Sequence, residues 1–534
     1  GRWERAQAVT RLDAQLSALA RDERLDAGMF LRKAVIEHRL LNTRSAHLAI
    51  ATARDAADCS SDADVRSKLI ADIDGAAGTI MRAQEPQGAV ELLTAAIDYQ
   101  HRAQRPIVLP ELYLQRGRAH LALDKLHAAA SDFDRGIAEL ERQRTHVSEA
   151  AMRPGLFDDA AELFEEAIAL QLRRDGVTEK VLAYVERGRA RALLEQMGAG
   201  VQRPAKLADV QRHLGTRAAV IEYVSLPDRI VIISIARNRA VVRSVTTTRA
   251  MLRDATGDGE RLYDLLIRPI EFELRGIDTI TFVPDDVLQR VAFGALLDRT
   301  TRTFLVQRQT VAVAPSAGVF VFTSQRDAPG MPPTSALVLA NPTIPRDTFP
   351  DLRSLGASER EASRIARSYT RAEILKRDDA TAERFLKLAP EFEVVHFAGH
   401  AVVRNSEPGA SALVCASSPE VHGALTQRQI AEMRFPKTQV VVLAACSTMR
   451  GRNAAIEGVP SLARAFVVAG VPAVVGTLWD IDDAKATPLM RVLHEELAKG
   501  IAAPDALRAA QLKAIALGQP VEEWAAFAVT GIAR

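Results

Sequence analysis

From residue 205 onward the chain alternates short apolar runs with helical patterns, and this alternation constrains the fold more than any other feature. TITFVP (279–284), SALVLAN (335–341), EVVHFAGH (393–400), QVVVLAACST (439–448) and VPAVVGTLW (471–479) are apolar almost throughout rather than at every second residue. A strand with two apolar faces must be covered on both, which is the condition of a parallel sheet between helical layers. ASEREASRIARSY (357–369) and SLARAFVVAG (461–470) carry the helical periodicity of such covering layers. Ahead of them, IEYVSL, RIVIISIA and RAVVRSV (221–226, 229–236, 239–245) are β-branched and separated by turn residues, which predicts a hairpin or meander. PGMPP (329–333) is read as a loop, because the α/β pattern continues beyond it.

Residues 1 to about 200 have a different texture, with long Ala/Leu/Arg/Glu stretches and few strand formers, so they read as helix after helix. A weak repeat lies within them. Tyr113, Gly117, Ala129, Phe133 and Gly136 follow the large–small–small–large–small order of a tetratricopeptide repeat. The order is physical, since small residues let paired helices approach while the large ones fill the space between. It recurs at Ala77, Ala89, Leu93 and Ala96, and a third unit is read in 156–176, followed by a helix through 184–197. An Ala-rich helical bundle is the alternative. The expected organisation is therefore an all-α, TPR-like domain over 1–204 and an α/β domain over 205–534, itself divided into 205–330 and 331–534. A repeat array offers a curved surface to a peptide or protein partner.

Composition removes several function classes. Lysine and arginine total 69 against 67 acidic residues, aromatic residues are only 5%, and there is no basic-aromatic motif, so a nucleic-acid partner is not expected. No apolar run reaches the 18 or so residues of a membrane helix; Phe466 to Trp479 is shorter and is interrupted by Gly470, Pro472 and Gly476. The opening GRWERAQAVT lacks the apolar core of a secretory signal, although a chain opening on Gly1 leaves open what precedes it. Three cysteines, at 59, 415 and 446, make no disulfide framework and no CxxC pair, which fits a reducing compartment.

The residues capable of covalent chemistry stand at the ends of two strands, where open parallel sheets build their sites. One strand ends at His400 and the other at Cys446. Were these strands neighbours, imidazole and thiol would face each other across about 5 Å, the spacing of paired strands. An imidazole beside a cysteine favours the thiolate and can later protonate a leaving amine. The backbone N–H of Cys446, with a second donor just after the histidine, would then receive an oxyanion. A buried core thiol is the bland alternative for Cys446, but its place before the polar loop STMRGRN argues against it. His396 and His400 are four apart, yet a zinc pair of the HExxH kind needs a helix and an adjacent glutamate. The neighbouring residue here is Phe397 in a strand, so neither metal nor cofactor is expected and His396 is assigned to the core or to a supporting place behind the site. Cys415 and Cys59 are expected to pack without a chemical role.

These motifs, in this order, resemble the CHAT domain, a caspase-like peptidase module that commonly follows tetratricopeptide repeats. The resemblance covers roughly 205–534. It runs through FVPDDVLQRVAFGALLD (282–298), Asn341–Pro342, ASEREA (357–362), DDATAERF (378–385), VVHFAGHA, VVLAACST, EGVPSLARAFVVAGVPAVVGTLWDIDD (457–483), LMRVLHEELAKG, DALRAAQLKAI (505–515) and WAAFAVTG (524–531). It implies a caspase-like α/β fold and a cysteine endopeptidase of the clan containing caspases, separases and gingipains. Cys446 is then the nucleophile, His400 the acid/base partner, and the N–H groups of Ala401 and Cys446 the oxyanion donors. Ala401 stands where the family usually has glycine, and Ala444 where serine is common. LWDIDD (478–483) resembles the separase segment whose acidic residue helps select a basic residue before the scissile bond, which makes Asp480 and Asp482 candidates for substrate binding. Capping of the following helix is the alternative for this acidic run. Arg450 and Arg452 would be self-cleavage sites for an arginine-selective enzyme. The family habit is bacterial and cytoplasmic, in defence or stress, acting on a protein or peptide substrate with a partner or activator on the repeats. A catalytically silent scaffold for protein–protein interaction is the alternative from another class.

Overall fold

The computed structural model describes residues 27–144, 155–174, 178–189, 197, 204–325, 332–404, 407, 409–419, 423–445, 448–449 and 461–531. The chain forms two compact units, 1–175 and 176–534.

The first unit is helical. Among its described residues it contains α1 (Ala27–Arg39), α2 (Thr43–Asp58), α3 (Ala63–Met81), α4 (Pro86–Arg102), α5 (Leu109–Ala122), α6 (Leu126–Arg144) and α7 (Gly155–Arg174). Asp62 caps α3 by accepting from the N–H groups of Asp64 and Val65, and Pro86 opens α4 where a missing N–H costs nothing. Small residues set the approach of successive helices, as expected. A Cβ on Gly117 would lie 2.4 Å from the Phe133 ring, and one on Gly136 would lie 2.9 Å from Leu163. In the α3–α4 pair the tight contact falls on Gly78, next to Ala77, where a Cβ would come within 2.6 Å of Leu93. Between α5 and α6 the buried Arg116 guanidinium grips Asp132 at 2.9 and 2.7 Å, the bidentate geometry that makes a buried charge tolerable.

The second unit opens with α8 (Thr178–Gly188) and is built on one eleven-stranded sheet. Its strands are β1 (Ala218–Ser225), β2 (Arg229–Ala236), β3 (Arg239–Thr246), β4 (Thr279–Val283), β5 (Thr310–Val313), β6 (Ser335–Pro342), β7 (Arg371–Arg377), β8 (Val394–Ala398), β9 (Val440–Ala444), β10 (Ala473–Thr477) and β11 (Phe527–Gly531). Their spatial order is β3-β2-β1-β4-β5-β11-β10-β9-β8-β6-β7. The first three strands form the expected antiparallel meander. Strands β6 to β10 are mutually parallel, whereas β11 runs antiparallel to β10 and parallel to β5. The sheet therefore holds two parallel blocks of opposite direction, and the carboxyl ends of β6, β8, β9 and β10 share one edge.

Helices cover both faces, as the two-sided apolar strands require. On one face Leu339, Phe397, Leu443 and Val474 pack with Val319 of α9 (Ala317–Ser324) and Phe466 of a helix beyond β9. On the other, Ala336, Val338 and Val394 meet Ala362 and Ile365 of α10 (Gly356–Ala366). There too Val442 and Val475 meet α12 (Asp483–Leu497) and α13 (Ala503–Ala516), while α11 is the Phe466 helix (Leu462–Val468). Each such large side chain contributes about 1.5–3 kcal/mol when fully buried. The outermost strands, β3 and β7, carry arginine and lysine, which discourages pairing with another chain.

Helix α8 belongs to this unit, although its composition matches the helices before it. Glu186 accepts from the N–H groups of Ala317 (3.1 Å) and Gly318 (2.6 Å) at the start of α9. Arg189, just beyond α8, bonds the buried Glu222 of β1 at 3.0 Å and pairs with Asp285 at 3.2 Å.

Candidate active site

The two strands that end at the candidate residues are neighbours. β8 and β9 pair in parallel from Val394 with Val440 to Ala398 with Ala444. His400 is two residues beyond Ala398, and in sequence Cys446 is two residues beyond Ala444. Cys446 and the loop arginines Arg450 and Arg452 lie outside the described residues. The condition set by the sequence, adjacency of the two strands, is met.

His400 is half-buried and its Nε2 lies 2.6 Å from the backbone oxygen of Arg353. A carbonyl can only accept, so Nε2 carries a hydrogen, and the tautomer that fits this contact has its lone pair at Nδ1. The main-chain oxygen of His400 accepts from the N–H of Val414 at 2.8 Å. Residues 400 and 414 are thus a hydrogen-bonded pair of the antiparallel ladder between 401–402 and 412–414, and Ala401 opposite Leu413 is the non-bonded pair. The Ala401 N–H consequently turns away from that ladder, while its methyl packs against the apolar core. Gly399 is needed for the close approach here, since a Cβ would lie 2.8 Å from the Phe397 ring.

On the Cys446 side, two fully buried threonines hold the flanking backbone. Thr477, the last residue of β10, donates from Oγ1 to the carbonyl of Ala445 at 2.5 Å and accepts from the N–H of Thr448 at 3.2 Å. Thr448 Oγ1 accepts from the Thr477 N–H at 2.9 Å, and Met449 N–H donates to the Thr477 carbonyl at 3.0 Å. Gly476 permits this contact, because a Cβ would sit 2.8 Å from Met449 and 2.9 Å from Thr448. Sequence reasoning passed over both threonines. For Thr477 the signal was a hydroxyl set in the apolar run VPAVVGTLW, which when buried must find partners, whereas Thr448 lies in the polar stretch after Cys446 and gave none.

The other ionisable residues are placed more simply. His396 is fully buried in a chain of hydrogen bonds, with Nε2 at 3.0 Å from Glu361, Nδ1 at 3.0 Å from His494, and His494 at 2.8 Å from the Tyr369 hydroxyl. Burial, reinforced by the nearby His396, pushes His494 well below the ordinary histidine range. Cys415 is fully buried, and burial pushes its thiol up to about 12, so it is inert at neutral pH. Cys59 departs from the expectation of a packed cysteine: it is exposed at the C-terminal cap of α2, where the chain leaves the helix.

Asp482 is the N-cap of α12, its carboxylate accepting from the Ala484 N–H at 2.9 Å. Its neighbour Asp483 accepts from the Ala357 N–H at 3.1 Å, which ties the starts of α10 and α12 together. Asp480 is exposed. A shallow cleft opens beside Met449, lined also by Pro284, Phe293, Ser461, Arg464 and Leu478. Neither acidic candidate lines it.

The family model described as the CHAT domain matches residues 256–532, more than half of the chain. No curated protein matches. Among solved structures, 33 chains match. One comes from the Saccharomyces cerevisiae separase–securin complex at 3.0 Å, with 10% identity, a TM-score of 0.49, and coverage of 98% of this chain and 48% of that one. Another, from the same complex at 2.6 Å, has 10% identity, a TM-score of 0.42, and coverage of 96% and 53%. The chain spans about half the length of these structures. No helix among the described residues is long and apolar enough to cross a membrane.

Proposed function

The chain belongs to the CHAT-domain family, and we propose that it is a cysteine endopeptidase with Cys446 as nucleophile and His400 as its acid–base partner. One observation carries this reading: β8 and β9 are paired so that Ala398 faces Ala444, and the two reactive residues each follow by two positions. The hydrogen bond from His400 Nε2 to Arg353 supports it by leaving Nδ1 as the basic nitrogen.

In the proposed cycle His400 Nδ1 takes the Cys446 thiol proton, and the thiolate adds to the scissile carbonyl carbon. The C–O double bond opens to an oxyanion, stabilised by the N–H groups of Ala401 and Cys446. As the tetrahedral species collapses, the C–N bond breaks and the imidazolium gives its proton to the departing amine. Water then adds to the thioester, passing a proton through Nδ1 to the sulfur, and releases the acid and free Cys446. Within the expected repeat domain 1–204, the helical unit 1–175 is proposed to act as a TPR-like recruiting or gating array for a protein partner, and the second unit, which takes in 176–204 with 205–534, as the peptidase.

Electrophilic peptide probes with basic, apolar or acidic residues at the recognition position test the proposal, with peptide mass spectrometry locating the adduct. Labelling of Cys446 that depends on His400 is the expected result. Labelling no greater than at the exposed Cys59 points instead to a silent scaffold. Asp482 caps α12, so a carboxylate-lined recognition pocket predicts that Asp480→Asn, rather than Asp482→Asn, abolishes any preference for the basic probe.

A further inference from the structure

Asn341 ends the run SALVLAN in a backbone conformation that asparagine adopts only at a cost. Its φ is +46°, in the left-handed region, and the pairing of β6 with β7 shifts register between Ala340 and Pro342. This is a bulge, the device by which a strand re-aims one side chain. Ala340 pairs with Ala398 of β8, so the bulge lies at the same sheet edge as His400.

The re-aimed amide is 7% exposed and almost fully bonded. Its Oδ1 accepts from Ser354 Oγ at 3.0 Å and from the Leu355 N–H at 2.9 Å, and its Nδ2 donates to Glu359 at 2.7 Å. Ser354 and Leu355 directly follow Arg353, whose carbonyl holds His400 Nε2 at 2.6 Å. Glu359 is fixed in turn by Arg377 at 2.9 Å; these two contacts, the Asn341 amide first, keep its carboxyl below the usual range. From the other side, Pro342 packs against the strand exit, its Cδ being 3.3 Å from where a Cβ on Gly399 would stand. Adjacent residues of one strand end thus hold both partners of the His400 contact: Asn341 the segment bearing the acceptor, Pro342 the turn bearing the imidazole.

We propose that Asn341 is a positioning residue for His400, acting through the Arg353 carbonyl. The proposal rests on the reading of His400 as the partner of Cys446, and it assigns the strained backbone a purpose. Glycine would take this φ at no steric cost, but it lacks the amide that fixes residues 353–355.

The test uses the full chain with two readouts, the protection of the His400 Nε2–H in histidine-labelled protein by NMR, and the alkylation rate of Cys446 by iodoacetamide at pH 6.5. Asn341→Gly relieves the backbone and so keeps the fold, yet it is expected to expose the His400 Nε2–H. Alkylation should fall about tenfold as the proposed activation of the thiol by His400 is lost. Asn341→Asp keeps the acceptor oxygen but sets a carboxylate against Glu359, so it is paired with Glu359→Gln, and the double variant should stay close to the wild-type rate. In a His400→Ala background Asn341→Gly should have no further effect on Cys446. Ser354→Ala combined with Glu359→Ala removes two of the three partners of the same amide, leaving the Leu355 N–H, and serves if the glycine variant does not fold. An unchanged His400 signal in Asn341→Gly overturns the proposal. Loss of the signal with Cys446 indifferent to His400→Ala leaves the positioning role standing and removes the dyad instead.

Discussion

The helical unit and the edge of the sheet that carries His400 are built on different principles. In the helices, shape decides: Gly117 exists to admit Phe133, and Gly78 to admit Leu93. At the sheet edge the apolar strands only bring the chain to the right place, and hydrogen bonds to main-chain groups finish the geometry. Arg353 O, Ala445 O, Thr448 N and Leu355 N are each held by a particular side chain or hold one. A shape-built region tolerates exchange of one apolar residue for another of equal volume, whereas a bond-built one tolerates little at its few polar positions.

That contrast can be broken by experiment. Gly117→Val drives a branched side chain into the Phe133 ring, and overpacking of this kind costs about 1–3 kcal/mol, occasionally more. Hydrogen exchange over 109–144 should accelerate accordingly, and unchanged protection would deny that shape governs there. Thr477→Val keeps volume but strips the Ala445 carbonyl and Thr448 N–H of their partner, with an expected loss of about 1–3 kcal/mol in denaturant unfolding. The same variant should slow Cys446 alkylation; a purely apolar role for Thr477 would leave both values alone.

Acid should weaken the α/β unit through His494. Its folded pKa lies below its unfolded value, so above about pH 6.5 both states are neutral and stability is unaffected. As pH falls below that point the unfolded chain takes up the proton first. Stability then drops by up to about 1.4 kcal/mol per pH unit until the much lower folded pKa is reached. Urea titrations at pH 7.5, 6.5 and 5.5 would show it, and a flat response between the last two would mean that His494 is charged when folded. The smallest effect belongs to Asp482→Ala, where loss of the helix cap costs about 1 kcal/mol. Removal of the helical unit should end at residue 175, because a deletion reaching 200 also removes Glu186 and Arg189 from the core of the second unit.

The same contrast explains what the sequence disclosed. The five long apolar runs became β4, β6, β8, β9 and β10, and the three β-branched runs became β1 to β3, because two-sided burial leaves a continuous apolar signature. β7 (RAEILKR) was not read as a strand; at the sheet edge it keeps charged residues that mask its alternation. The reversed direction of β11 left no local mark either, since direction is decided by a connection and not by composition. At the site, side chains with chemistry were legible, and those that hold backbone were not. Any residue can supply a carbonyl, so nothing in the letters around Arg353 announces the acceptor for His400. Asp482 had two readings of equal standing in sequence, and its bond to Ala484 supplies the cap.

A cysteine and a histidine following two neighbouring strands are proposed to cleave peptide bonds, with polar side chains holding the backbone on either side. Incubating the full chain with a peptide library and sequencing the product termini by mass spectrometry tests this proposal most directly, alongside Cys446→Ala and His400→Ala. Cleavage should disappear with Cys446→Ala and fall about 10²–10⁴-fold with His400→Ala. Cleavage that survives either substitution at the wild-type rate would contradict it.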